Sequence, residues 1–324
     1  MEYVLLIVGL ALLLTGANYL VDSSVAIAQR AKISNFIIGL TIVGMGTSAP
    51  ELFISVKSAL DGSGDIALGN VVGSNIANIL LILGATATIL PFTIEREQQK
   101  RDIPFCIGAT ILLIALVNDS ILPGIDHNTM SRIDGIFFLV VFLVYMCYVI
   151  LQNGKNPARA EKEASETTTS SLAGKNVWLL AAIAVVSLAA LVFGGNLFLE
   201  NAKHLAKSWG MSDAAIAITI VAVGTSLPEL ITAIIAACKK NAMLALGNVI
   251  GSNVFNILLV LGVTATVNPI VIQSINIVDF AVMLLAAVML YLIIFTFGKH
   301  RFDRVEGVIF LLVYFSYTAY LLIR

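Results

Sequence analysis

TIVGMGTSAPEL, at residues 41–52, recurs as TIVAVGTSLPEL at 219–230, and ALGNVVGSNIANILLILG, at 67–84, recurs as ALGNVIGSNVFNILLVLG at 245–262. Both recurrences are displaced by the same 178 residues, and 24 of 46 positions are identical between 39–84 and 217–262. Shared helix composition scatters Leu and Ile matches at random. It does not return Gly, Thr, Ser, Pro, Glu and Asn in register, so the chain is an internal duplication.

The duplicated units are membrane-embedded. Of 324 residues, 59% are hydrophobic and 12% charged, with a mean hydropathy of +0.96. Soluble domains carry about 25% charged residues. That balance excludes a cytosolic enzyme, a disordered chain and a secreted disulfide scaffold. The net charge of −1 gives no reason to expect a nucleic-acid partner. Cys106, Cys147 and Cys238 lie in or beside apolar runs without metal or redox spacing, and read as small core residues. His127, His204 and His300 fall in loops or at helix ends. The N-terminal run carries Glu2 where a signal peptide has basic residues, so it reads as a retained first span.

Apolar runs near the ~20 residues a bilayer requires predict ten spans, at 3–21, 33–58, 66–91, 103–118, 132–151, 177–203, 213–237, 243–267, 276–297 and 305–323. The polar stretch 152–175, rich in Lys, Glu, Ser and Thr, reads as a flexible linker. It divides a first five-helix repeat, 1–151, from a second, 176–324. Five is odd, so the second copy enters the membrane from the opposite face. The expected architecture is all-α, two inverted five-helix repeats with broken helices at the centre. With both termini outside, 14 of the 19 Lys and Arg fall on cytoplasmic segments, loop 152–175 included, and 5 on the outer side. Basic residues concentrate on the cytoplasmic side, which favours this orientation.

Inverted repeats place binding sites near the midplane, where interrupted helices meet. Pro50 and Pro228 each remove a backbone donor, and Gly44, Gly46 and Gly224 loosen the same turns. This predicts interruption of the second span of each half, and we expect the same of the third. A proline kink can also serve packing alone. Glu51 and Glu229 follow those prolines directly, and a carboxylate in an apolar span marks an ion path unless it only braces helices. Thr47, Ser48 and Glu51 share one helical face, as do Thr225, Ser226 and Glu229. Ser74 with Asn78, and Ser252 with Asn256, are four apart on the third and eighth spans. Such residues also serve as interhelical glue. Gly69, Gly73, Gly247 and Gly251 suit close packing, while Asn70, Asn75, Asn248 and Asn253 suit helix capping or ligation equally. Carboxylate, hydroxyl, amide and carbonyl oxygens without Cys or His form a hard-cation set. Ca2+ takes roughly six to eight oxygens at ~2.3–2.6 Å, and Na+ is nearly the same size.

GTSAPEL with GNVVGSNIAN, and GTSLPEL with GNVIGSNVFN, resemble the alpha repeats of the sodium/calcium exchanger branch of the cation/calcium antiporter superfamily. The resemblance covers essentially the whole chain, with alpha motifs at 39–84 and 217–262. It implies that Glu51 and Glu229 bind both Ca2+ and Na+, and that Thr47 and Thr225 offer backbone carbonyls to Ca2+. Ser48, Ser226, Ser74, Ser252 and the Gly44 and Ala222 carbonyls would complete Na+ sites, with Asn78 and Asn256 lining the centre. Some relatives, potassium-dependent exchangers among them, carry Asp where this chain has Asn256. The long regulatory loop of animal exchangers is absent, since 152–175 is too short to fold as a domain. The implied activity is Na+/Ca2+ antiport by alternating access, with Ca2+ and Na+ as cargo, no resident cofactor and the lipid bilayer as surroundings. A Ca2+/H+ antiporter using the same glutamates is the alternative. A channel usually builds a ring from several subunits, and no nucleophile–base pair or HExxH motif suggests an enzyme.

Overall fold

The computed structural model describes residues 2–118, 128–153, 170–209, 224–272, 276–293, 295 and 301–323. Helix dominates, because an apolar run in lipid must satisfy its own backbone groups. The first half supplies α1 (Glu2–Ala31), α2 (Asn35–Thr47), α3 (Ala49–Leu60), α4 (Gly64–Ile89), α5 (Ile103–Val117) and α6 (Arg132–Asn153). Strands β1 (Phe92–Thr93) and β2 (Asn128–Met130) stand on either side of α5. The second half supplies α7 (Val177–Ser208), α8 (Leu227–Cys238), α9 (Ala242–Val267), α10 (Ile277–Leu292) and α11 (Arg304–Ile323), with β3 (Ile270–Ile272) and β4 (Arg301–Phe302) around α10.

Six of the described helices, α1, α4, α6, α7, α9 and α11, are long and apolar enough to cross a bilayer alone. The pair α2–α3, bent by 42°, makes a seventh candidate. α8 and α10 are shorter apolar helices, and residues 213–223 of the seventh expected span lie outside the described set. The even row of ten sequence-defined spans is therefore uneven in three dimensions, because a broken span divides its length between two half-helices.

The break itself differs from a simple kink. Ser48 (φ −83°, ψ 6°) separates α2 from α3, and Pro50 sits in the first turn of α3, where its missing N–H costs no helical bond. Ser226 (φ −89°, ψ 10°) repeats this ahead of α8 and Pro228. The third span of each half, expected to be interrupted, is not. α4 and α9 run through, carrying π-helical stretches at Ala77–Leu83 and Phe255–Val260. The fourth span also gains length, from a π-helical turn at Gln98–Asp102 that leads into α5.

α9 is 94% buried across its apolar window and α4 is 72% buried, whereas α1, α6, α7 and α11 bury about a third or less. α4 and α9, which carry the GNVVGSN and GNVIGSN motifs, are thus central, and α1, α6, α7 and α11 are the outer helices. α1 and α7 cross tightly. A Cβ on Gly9 would stand 2.7 Å from the Phe198 nitrogen, and one on Gly194 2.8 Å from the Leu13 nitrogen. Small residues are what permit such crossings in lipid, where there is no aqueous hydrophobic drive.

Two short antiparallel ribbons tie the halves together, each taking one strand from each half. Phe92 pairs with Phe302 in β1–β4, and Thr129 with Val271 in β2–β3. The C-terminal end of the expected linker is packed. Ser170 Oγ donates to the Asp22 carbonyl (2.8 Å), Ser171 Oγ to Asp22 Oδ2 (2.7 Å), and Leu172 is buried beside Ala26 and Leu180. Of the cysteines read as core residues, Cys106 is buried, while Cys147 and Cys238 are exposed on the helix surface.

Candidate cation site

The break at Ser48 places Glu51 in the first turn of α3, and the break at Ser226 places Glu229 in the first turn of α8. Each carboxylate thereby stands at the positive end of a half-helix, which favours negative charge there. Both are 1% exposed. The two breaks bring residues from repeats 178 positions apart into one buried cluster.

Hydroxyls reach the site carbonyls and carboxylates both across the halves, from Ser48, Thr47 and Ser252, and within the first half, from Ser74. Ser48 Oγ donates to Glu229 Oε1 (3.4 Å), and Ser74 Oγ donates to Glu51 Oε1 (3.5 Å). Thr47 Oγ1 donates to Asn248 Oδ1 (3.2 Å), and Ser252 Oγ to the Gly44 carbonyl (3.4 Å). Ser226 is buried and Thr225 half-buried beside Glu229. Ala222, expected to offer a carbonyl, lies outside the described residues.

Four asparagines complete the centre in a reciprocal pattern. Asn78 Nδ2 donates to Asn253 Oδ1 (3.0 Å), and its repeat-mate Asn256 Nδ2 donates to Asn75 Oδ1 (3.1 Å). Asn78 and Asn256 both lie in the π-helical stretches, where the widened turn shifts a side chain off the ordinary helical face. Asn75 and Asn253, which the sequence left between capping and ligation, brace one repeat against the other. Asn248 serves the second half in the same way through Thr47, and Asn70 Nδ2 donates to Ser55 Oγ (3.1 Å). Sequence reasoning allowed interhelical bonding for Asn78 and Asn256 but missed it for Asn75, Asn248 and Asn253. Their strict return in register was the available signal.

What remains unpaired is informative. Glu51 Oε2, Glu229 Oε2, Asn78 Oδ1, Asn256 Oδ1 and Ser226 Oγ are buried without a hydrogen-bond partner. A buried acceptor left unsatisfied costs about 1–3 kcal/mol, and five among the site residues require a compensating donor or cation. All five are hard oxygens. Among the described residues no cluster of three or more His, Cys, Asp or Glu occurs, which separates this set from a transition-metal site.

The sodium/calcium exchanger protein family matches residues 1–151 and 179–323. The chain belongs to that family. Several relatives match over nearly the whole length of both chains. The Alkalimonas amylolytica protein CaxA is 40% identical, covering 97% of this chain and 96% of its own. The sodium/calcium exchanger MaX1 of Methanosarcina acetivorans is 31% identical, covering 99% and 98%. The solved sodium-calcium exchanger NCX_Mj, soaked with Na+ and Ca2+, superposes with a TM-score of 0.80 at 31% identity, over 98% of this chain and 97% of that one. Membership makes this protein a multi-pass membrane cation/calcium antiporter. MaX1 and NCX_Mj are ion exchangers, not enzymes.

Proposed function

We propose that this family member exchanges Na+ for Ca2+ by alternating access, through a site built from Glu51, Glu229, Ser48, Ser226, Ser74, Ser252, Asn78, Asn256 and the carbonyls of Thr47, Thr225, Gly44 and Ala222. The five unpartnered buried oxygens carry this reading. One Ca2+ neutralises two carboxylates, and several Na+ on the hydroxyl-rich flanks do so in its place. Because both cargoes need the same carboxylates, they exclude each other, and that exclusion is the coupling. The hydroxyls support Na+ over H+, since a protonated carboxyl would not need them. Reconstituted protein loaded with Na+ should take up radiolabelled Ca2+ on dilution into Na+-free buffer. Equal uptake driven by a proton gradient alone would instead make it a Ca2+/H+ antiporter.

The chain runs through ten spans as two inverted repeats, 1–151 and 176–324, joined by a cytoplasmic linker and with both termini outside. Contacts between segment ends support that path. Lys239 Nζ meets Asp22 Oδ1 (2.6 Å) and Arg30 Nη1 meets the Lys175 carbonyl (3.0 Å), all on ends assigned to the cytoplasm. Asn268 Nδ2 meets the Ala59 carbonyl (2.6 Å) and β2 pairs with β3, all on ends assigned outside. Shortening the polar stretch within 155–169 should leave transport intact, whereas removing 170–172 should reduce it by cutting the anchor to Asp22. Protease added to right-side-out vesicles should spare that stretch. Cleavage there from the outer face would overturn the orientation.

Exchange is expected to be independent of K+. Asn78 and Asn256 are neutral, so the site carries two negative charges rather than three and has no spare charge for an extra monovalent ion. If more than two Na+ move per Ca2+, each cycle carries net charge and responds to voltage at about 2.3 kcal/mol per charge per 100 mV. Asn256→Asp should yield folded protein with altered ion selectivity. Na+-driven Ca2+ flux with and without K+ checks both statements, and an absolute K+ requirement in the wild type would refute the charge argument.

A further inference from the structure

The duplication leaves two equivalent grooves on the lipid-facing surface, one between α5 and α6 and one between α10 and α11, of about 530 and 430 Å3. The same clamp closes each. Tyr145 OH donates to Asp102 Oδ1 (3.1 Å) in the first, and Tyr317 OH donates to Asp279 Oδ1 (2.9 Å) in the second. Both floors are apolar, with Val140, Val144 and Tyr148 openly exposed along the first. The two differ in charge at the clamp. Lys100 and Arg101 line the first groove, whereas Ile277 and Val278 occupy the same steps before Asp279.

Arg101 is fixed rather than loose. Its Nε and Nη2 bind Asp102 Oδ1 and Oδ2 (2.7 and 3.0 Å), and its Cζ lies 6.0 Å from the Tyr148 ring centre. Asp102 is fully buried beneath it, and neither Asp102 nor the neighbouring Glu97 lines the groove. The groove therefore shows lipid an apolar channel ended by Lys100 and Arg101, with the Arg101 charge balanced by the buried Asp102 so that the net positive charge is that of Lys100.

We propose that this first groove holds an anionic phospholipid, with the phosphate between Lys100 and Arg101 and an acyl chain along Val140 and Val144. Its uncharged twin holds acyl chain alone. Basic pockets between spans on the cytoplasmic side recognise such headgroups. Assigning the lipid to the cytoplasmic leaflet rests on the orientation proposed above. Binding itself can be read in detergent, so its failure is distinct from failure of that orientation.

The test is native mass spectrometry of purified protein titrated with dioleoylphosphatidylglycerol or dioleoylphosphatidylcholine. The wild type should retain one phosphatidylglycerol in preference to phosphatidylcholine. Lys100→Gln, a surface change that leaves the buried Asp102 pair intact, should weaken that preference about fivefold. Ile277→Lys with Val278→Arg should add a second phosphatidylglycerol at the twin groove. Equal retention of both lipids, an unchanged Lys100→Gln variant, or no gain at the twin would overturn the proposal. Displacement by inorganic phosphate would also overturn it, by showing a free-anion site instead.

Discussion

Glu51→Gln and Glu229→Gln should each reduce Na+-driven Ca2+ uptake a hundredfold or more while leaving folded protein in the membrane. Each substitution removes half of the negative charge, so a divalent cation is left with one buried carboxylate. Breaking a buried charge pairing in this way costs about 3–5 kcal/mol, which is more than two orders of magnitude in binding. Folding should survive because Gln keeps the shape of Glu and its amide oxygen still accepts from Ser74 Oγ or Ser48 Oγ. Uptake in proteoliposomes, set beside a size-exclusion profile, separates the two effects. Near-normal uptake by either variant would remove that glutamate from the site and overturn the two-carboxylate assignment.

Gly247→Val should act in the opposite way, through assembly rather than charge. Gly247 presses α9 onto α2, where a Cβ would overlap the Phe36 carbonyl and stand 2.9 Å from the Leu40 nitrogen. The opposing atoms are backbone and cannot turn aside. Overpacking typically costs about 1–3 kcal/mol, and more where backbone must move. The same α2–α9 interface carries the Thr47–Asn248 and Ser252–Gly44 bonds, so forcing it apart disorders the site as well. We expect a melting temperature lowered by several degrees, with little monodisperse protein recovered. Gly108→Val on the exposed face of α5 is the control, since a Cβ there meets open space. A Gly247→Val variant as stable as the control would mean that α2 and α9 separate without cost.

The duplication was legible in sequence because it repeats in register, and the apolar runs and the two buried carboxylates because each is a local property. Apolar run length sets a span, a proline sets a break, and a charged residue in an apolar run stands out against its neighbours. The oxygen set followed from residue types alone. Other features depend on packing between distant parts. Asn75 and Asn253 were ambiguous until α4 and α9 were seen side by side, because a brace exists only when its partner is present. The π-helical turns at Asn78 and Asn256 carry no distinct apolar period, so continuous spans with shifted side chains looked like interrupted ones. Ser170 and Ser171 belong to a polar run and read as flexible, yet Asp22 of α1 gives them a fixed partner. The sequence alone thus determined which carboxylates and hard oxygens lie in the apolar spans and that two copies of them exist. Only the tertiary structure decided which copies face each other, because hydrogen bonds and close backbone contacts over 178 residues are set by helix packing and not by local pattern.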